Sequence, residues 1–91
     1  MNPQLLADFR AWARAEGDTA TARHAARVFT VDLTGPDYDV EVATDHRSRT
    51  AAAEFAETFA EWWDKDDGSG VARSLVILDP HDRRIATRRL R

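Results

Sequence analysis

The side chains that could do chemistry in this chain are three histidines and a few serines; there is no cysteine. His24, His46 and His81 fall in three separate segments, and none has a second histidine three or four residues away. Helical zinc and di-iron sites use HExxH or ExxH spacing, because ligands must recur about once per turn to face one ion. Neither pattern occurs here. Asp45-His46 and His81-Asp82 are adjacent pairs in segments that read as turns, where solvation accounts for both. Nucleophilic catalysis needs a Ser, Thr or Cys beside a base and an orienting group. Ser48, Ser69 and Ser74 lie outside any G-x-S-x-G elbow, and Gly68-Ser69-Gly70 lacks the Lys-Ser/Thr that closes a phosphate loop. The sequence therefore predicts a protein that is not an enzyme, with no catalytic set, no metal ligands and no cofactor.

Charge is the stronger signal. The formal net charge of -3 conceals a segregation along the chain. Residues 32–67 carry eleven acids against three bases, whereas residues 68–91 carry six arginines against two acids. Glu54, Glu57, Glu61 and Asp64 recur at spacings of three and four, which places them along one side of a helix. Like charges so arranged destabilise an isolated helix by about 0.2–0.5 kcal/mol per pair, and the stripe reads either as a solvated face or as a docking surface for a basic partner. A divalent-ion site on Glu57 and Glu61 is a lesser alternative. The basic complement is Arg84, Arg88 and Arg89, in or beside the last strand. Strict alternation would put Arg84 and Arg88 on one face and Arg89 on the other. These arginines would bind a partner or phosphate, blunt an exposed strand edge, or pair with the acidic helix within the chain or between subunits.

Those residues must be positioned by a small fold. A chain of 91 residues holds one domain, here taken as 1–91, and buries only about 60–70% of its unfolded surface. Asn2-Pro3 starts a helix, with Leu5, Leu6, Phe9, Trp12 and Ala13 on one side, and Gly17 stops it. Asp18 caps a second, weaker helix from Thr19 to about Arg27. Phe29, Val31 and Leu33 alternate with polar residues and read as the inward face of a strand. Gly35-Pro36-Asp37 turns the chain into a matching strand with Tyr38, Val40 and Val42 on one side. From about Arg47 to Asp64, Ala51, Ala52, Phe55, Ala56, Phe59, Trp62 and Trp63 fill one arc of a long helix. Burying its four aromatic rings contributes about 2–3 kcal/mol each. Residues 66–70 read as a flexible loop. Leu75-Val76-Ile77-Leu78 is apolar on both faces, as in a central strand, and a turn at 79–82 returns the chain to a last strand.

The expected order is α(α)ββαββ: an α+β domain whose mostly antiparallel four-stranded sheet carries its helices on one face. No apolar run approaches the roughly 18 residues of a membrane span, and the start of the chain resembles no signal peptide, so a cytoplasmic protein is expected. The function expected is a small protein–protein interaction domain, adaptor or regulatory, that binds another protein or forms a homodimer through the acidic helix face and the arginine strand. The alternative is nucleic-acid binding, through the terminal arginines or a helix-turn-helix-like segment over 3–27 carrying Thr19, Thr21, Arg23, His24 and Arg27.

Overall fold

The computed structural model describes residues 2–66 and 72–90, with the side chains of 65 and 66 left aside. Its elements are α1 (Pro3–Ala15), α2 (Thr19–His24), β1 (Ala25–Asp32), β2 (Tyr38–Thr44), α3 (Arg49–Asp66), β3 (Ala72–Leu78) and β4 (Arg84–Arg89). Each helix starts on a side-chain cap. Asn2 accepts from the Leu5 N–H at 3.1 Å, Asp18 from Thr21 at 3.2 Å and Ser48 from Ala51 at 3.1 Å. Such caps satisfy donors that the first helical turn cannot. Between α1 and α2 the chain turns at Gly17, whose φ of +80° is disfavoured for residues with a Cβ. The start of the loop expected over 66–70 belongs to α3, which runs to Asp66; residues 67–70 lie outside the described residues.

The four strands form one mixed sheet in the order β1-β2-β3-β4. Both hairpins are antiparallel, as their short turns require, while β2 and β3 pair in parallel. Adjacent parallel strands need a crossover, and α3 supplies it. The helices pack on one sheet face. There Val28, Val40, Val42, Leu75 and Ile77 meet Phe9, Phe55, Phe59, Trp62 and Trp63, all buried. Phe9 is the hub, with ring centroids 4.8 Å from Phe59, 5.6 Å from Trp62 and 5.7 Å from Phe55. Such tilted and edge-on ring pairs add to the area they bury. Arg10 holds α1 against the next connection, its guanidinium donating to the carbonyls of Ala22 and Ala25 where α2 gives way to β1. Among the described residues, no helix is long and apolar enough to cross a membrane.

Two local expectations are overturned. The second helix was expected to reach Arg27 but ends at His24, and Arg27 belongs to β1. In β1 the inward residue is Val28, which is fully buried opposite Val42. Phe29 and Val31 point to the other sheet face, and Val31 and Leu33 are the exposed large hydrophobics. A period of two identifies a strand without saying which side the helices will cover.

The β3–β4 turn is held by Asp79, whose carboxylate accepts from the N–H groups of His81 at 2.8 Å and Arg83 at 3.0 Å. The Arg83 N–H chiefly, with that of His81, holds the Asp79 carboxyl below the ordinary 3.8. Its folded-state pKa is depressed, so this stabilisation is present above 3.8 and lost as pH falls through the lower folded value. Asp79→Asn should flatten that acid-side loss in a pH series of urea melts. The assignment of faces in β1 has its own check. In dilute solution Val28→Ala should cost about 1–3 kcal/mol, and Val31→Ala no more than about 0.5, by urea unfolding.

Candidate functional site

Because every helix lies on one side, the opposite sheet face is left open, and its pleat decides which charges meet there. Cross-strand partners share a face. Phe29 pairs with Glu41, Val31 with Asp39, Glu41 with Val76, and Leu78 with Arg84. The middle of this face is apolar, with Phe29 packed on Ala43, Val76 and Leu78. Asp39 and Glu41 mark its β2 side, and Arg84 and Arg89 its β4 side. Among the described residues, none of these four charges has an ion-pair partner. A concavity of about 380 Å³ runs between Phe29, Val31, Glu41, Leu78, Asp82 and Arg84. At its rim Arg27 lies over the Phe29 ring, 5.8 Å from its centroid, and pairs with Asp82 at 3.2 Å.

Alternation had placed Arg84 beside Arg88; the structure separates them. The β3–β4 register shifts between Ile77 and Leu78, so Arg84 stands opposite Leu78 on the open face while Arg88 stands opposite Leu75 on the helix face. An irregularity of one residue inverts the facing of everything beyond it. Arg88 consequently reaches the acidic helix of its own chain, donating to Glu57 Oε1 at 2.8 Å. Of the acidic stripe, Glu57 is thus engaged internally, Glu54 borders a cleft beside α2, and Glu61 and Asp64 are exposed farther along α3. The acidic stripe and the arginine strip thus meet at one point within the chain. One arginine closes on the stripe, and Arg84 and Arg89 face away from it.

The cleft beside α2 holds a second constellation, made by the hairpin register. Ala25 pairs with Thr44, so His24 and Asp45 extend the pair outward, and the Asp45 N–H donates to the His24 carbonyl at 3.3 Å. His24 Nδ1 and Asp45 Oδ1 are 2.5 Å apart. The His46 ring lies against that of His24, centroids 4.2 Å apart, with Phe55 behind it at 5.8 Å. Thr44 fixes this turn from beneath. Its buried hydroxyl donates to the Leu78 carbonyl at 2.9 Å and accepts from the His46 N–H at 3.2 Å. Burial, and then the neighbouring His24, hold the His46 pKa below 6.5 against the opposing charges of Asp45 and Glu54. The cleft encloses about 330 Å³, and Asp18, Thr21, Glu54 and Thr58 complete its wall.

Comparison with protein-family models, curated proteins and solved structures finds no match to this chain. Function must therefore be argued from these two surfaces. Sequence spacing missed the pairing of His24 with His46 because it was sought within single helices. The signal lay in the hairpin: Asp32 faces Tyr38 across the turn, and counting outward brings position 24 opposite 45–46. The helix-turn-helix expectation fares differently. Its proposed reading helix keeps Thr19, Thr21 and Arg23, while His24 turns to Asp45 and Arg27 leaves for β1. Thr44→Val, which strands a carbonyl and an N–H, should cost about 1–3 kcal/mol in chemical denaturation, and Thr44→Ser clearly less.

Proposed function

We propose that this protein is a small interaction domain that pairs with a second copy of itself through the open sheet face. The observation that carries the reading is the self-complementary pattern of that face. A buried apolar strip of Val76 and Leu78 on β3 lies between the β2 acids Asp39 and Glu41 and the β4 arginines Arg84 and Arg89, with Phe29 and the exposed Val31 beyond the acids on β1. A two-fold axis running along β3 lays the β2 of one copy over the β4 of the other. Asp39 is then level with Arg89, and Glu41 lies between Arg84 and Arg89 in height. One patch serves both partners, as a two-fold interface requires. Intramolecular use of Arg88 on Glu57 removes that arginine from the open face, and leaves the acids of β2 rather than those of α3 as the counterpart.

Magnitude sets the regime. Strands about 4.8 Å apart and about 3.3 Å per residue give a four-stranded face of roughly 400 Å² in projection. With the axis along β3 only β2, β3 and β4 overlap, so a pair buries roughly 600 Å², below the 1,200–2,000 Å² of stable complexes, and association is weak and exchangeable. Its electrostatic part weakens with salt, whereas apolar contact does not.

Sedimentation equilibrium from micromolar to millimolar protein, at low and high salt, tests the pairing. A monomer–dimer equilibrium in the micromolar-to-millimolar range is expected, weaker at high salt. Glu41→Arg and Arg84→Glu should each weaken it, and the double exchange should restore it, because the two positions are offset by only two residues in height across the interface, within reach of an arginine side chain. A monomer at millimolar concentration and low salt overturns the proposal. So does a dimer indifferent to both charge changes. A mobility shift with nucleic acid, reduced by Arg84→Glu and by salt, would instead assign the face to phosphates.

A further inference from the structure

His24 and His46 come from different elements, yet their rings lie side by side with a carboxylate hydrogen-bonded to one of them. An ion pair joining the end of α2 to the turn after β2 needs only His24 and Asp45. The second imidazole is what an ion pair leaves unexplained. We propose that His24, Asp45 and His46 form a binding site for a divalent first-row transition ion of the zinc type, held by two imidazole nitrogens and one carboxylate oxygen.

The donor set selects the ion class. Imidazole nitrogen with carboxylate oxygen suits zinc, cobalt, nickel and copper, whereas magnesium and calcium take oxygen shells. The geometry is close to what such an ion needs. One ligand atom from each residue can be chosen so that all three lie within 4.8 Å of one another. Zinc bonds of about 2.0–2.2 Å in a tetrahedron put ligand atoms about 3.3–3.6 Å apart. The His24–Asp45 contact at 2.5 Å must therefore open by about an ångström, and any separation near the 4.8 Å limit must close by about as much. Side-chain rotation at the surface provides this, since the His24 and Asp45 side chains are 40% and 64% exposed. No core residue has to move. The backbone carrying the ligands is anchored, by the strand register at Ala25–Thr44 and by Thr44 beneath His46. Asp18 and Glu54 on the cleft wall add negative charge that favours a cation. Three protein ligands leave coordination positions for water or a small anion.

Untagged protein is stripped with chelator and titrated with zinc chloride, by calorimetry and by NMR of the histidine ring protons. One equivalent should bind saturably, with micromolar or tighter affinity. The ring signals of His24 and His46 should move together while those of His81, exposed in the β3–β4 turn, stay in place. His24→Gln and His46→Gln should each weaken binding tenfold or more, and His81→Gln should leave it unchanged. The ring-proton readout uses the unaltered chain, so it decides the matter even if a substituted chain fails to fold. No saturable binding at millimolar zinc overturns the proposal, as do equal shifts at all three histidines. Equal displacement of the same signals by magnesium overturns it too, because it marks only a diffuse acidic patch.

Discussion

Parallel pairing of β2 with β3 is the constraint from which the rest of the architecture follows. Neighbouring parallel strands cannot be joined by a tight turn, so the chain must leave the sheet, travel back along it and re-enter in the same direction. The element that does this, α3, brings four aromatic rings onto one face and obliges α1 to pack there as well. Among the described residues, the other face carries no helix. The two ends of the crossover inherit distinct tasks. Its start, at Asp45-His46, is thrown against the end of α2, while its body lies over β4, where Arg88 reaches Glu57.

The energetic consequence is a core concentrated in aromatic contact rather than in covalent staples. A domain this small, without cysteine, depends on burying large rings efficiently. Phe9 touches three aromatic side chains of α3, and Trp62 and Trp63 are buried against the same cluster. Polar groups at element junctions are satisfied individually: Arg10 on the carbonyls at the end of α2, Thr44 between Leu78 and His46. Among the described residues, no buried side-chain polar atom lacks a partner. The surfaces on which function is proposed therefore rest on a framework that does not need them for its own satisfaction. Among the described residues, Asp39, Glu41, Arg84 and Arg89, without ion-pair partners, and the exposed Val31 stand out against it on the open sheet face.

Most elements were readable from local pattern. The helical arc that periodicity names is buried from Ala52 to Trp63, with Ala51 only half-buried, and the caps at Asn2 and Asp18 hold the donors that their positions imply. The central place of β3 followed from a run apolar on both faces. Two things were misread for one shared reason. The inward face of β1 and the common face of Arg84 and Arg88 both depend on which side of a pleat a residue takes. A single irregularity in register reverses that side. The histidine cluster was missed on different grounds, because its members meet across a hairpin and not along a helix.

The sequence by itself determined the α+β class, the order of elements, the aromatic core and the segregation of charge, since each of these is written in periodicity, capping or composition. Tertiary structure alone decided that β2 and β3 run parallel, that Phe29 and Val31 look away from the helices, that Arg88 turns inward while Arg84 does not, and that His24 lies against His46. Each of those outcomes is set by strand order or register. Register is fixed by contacts between residues distant in the chain, and no window of neighbouring residues contains them.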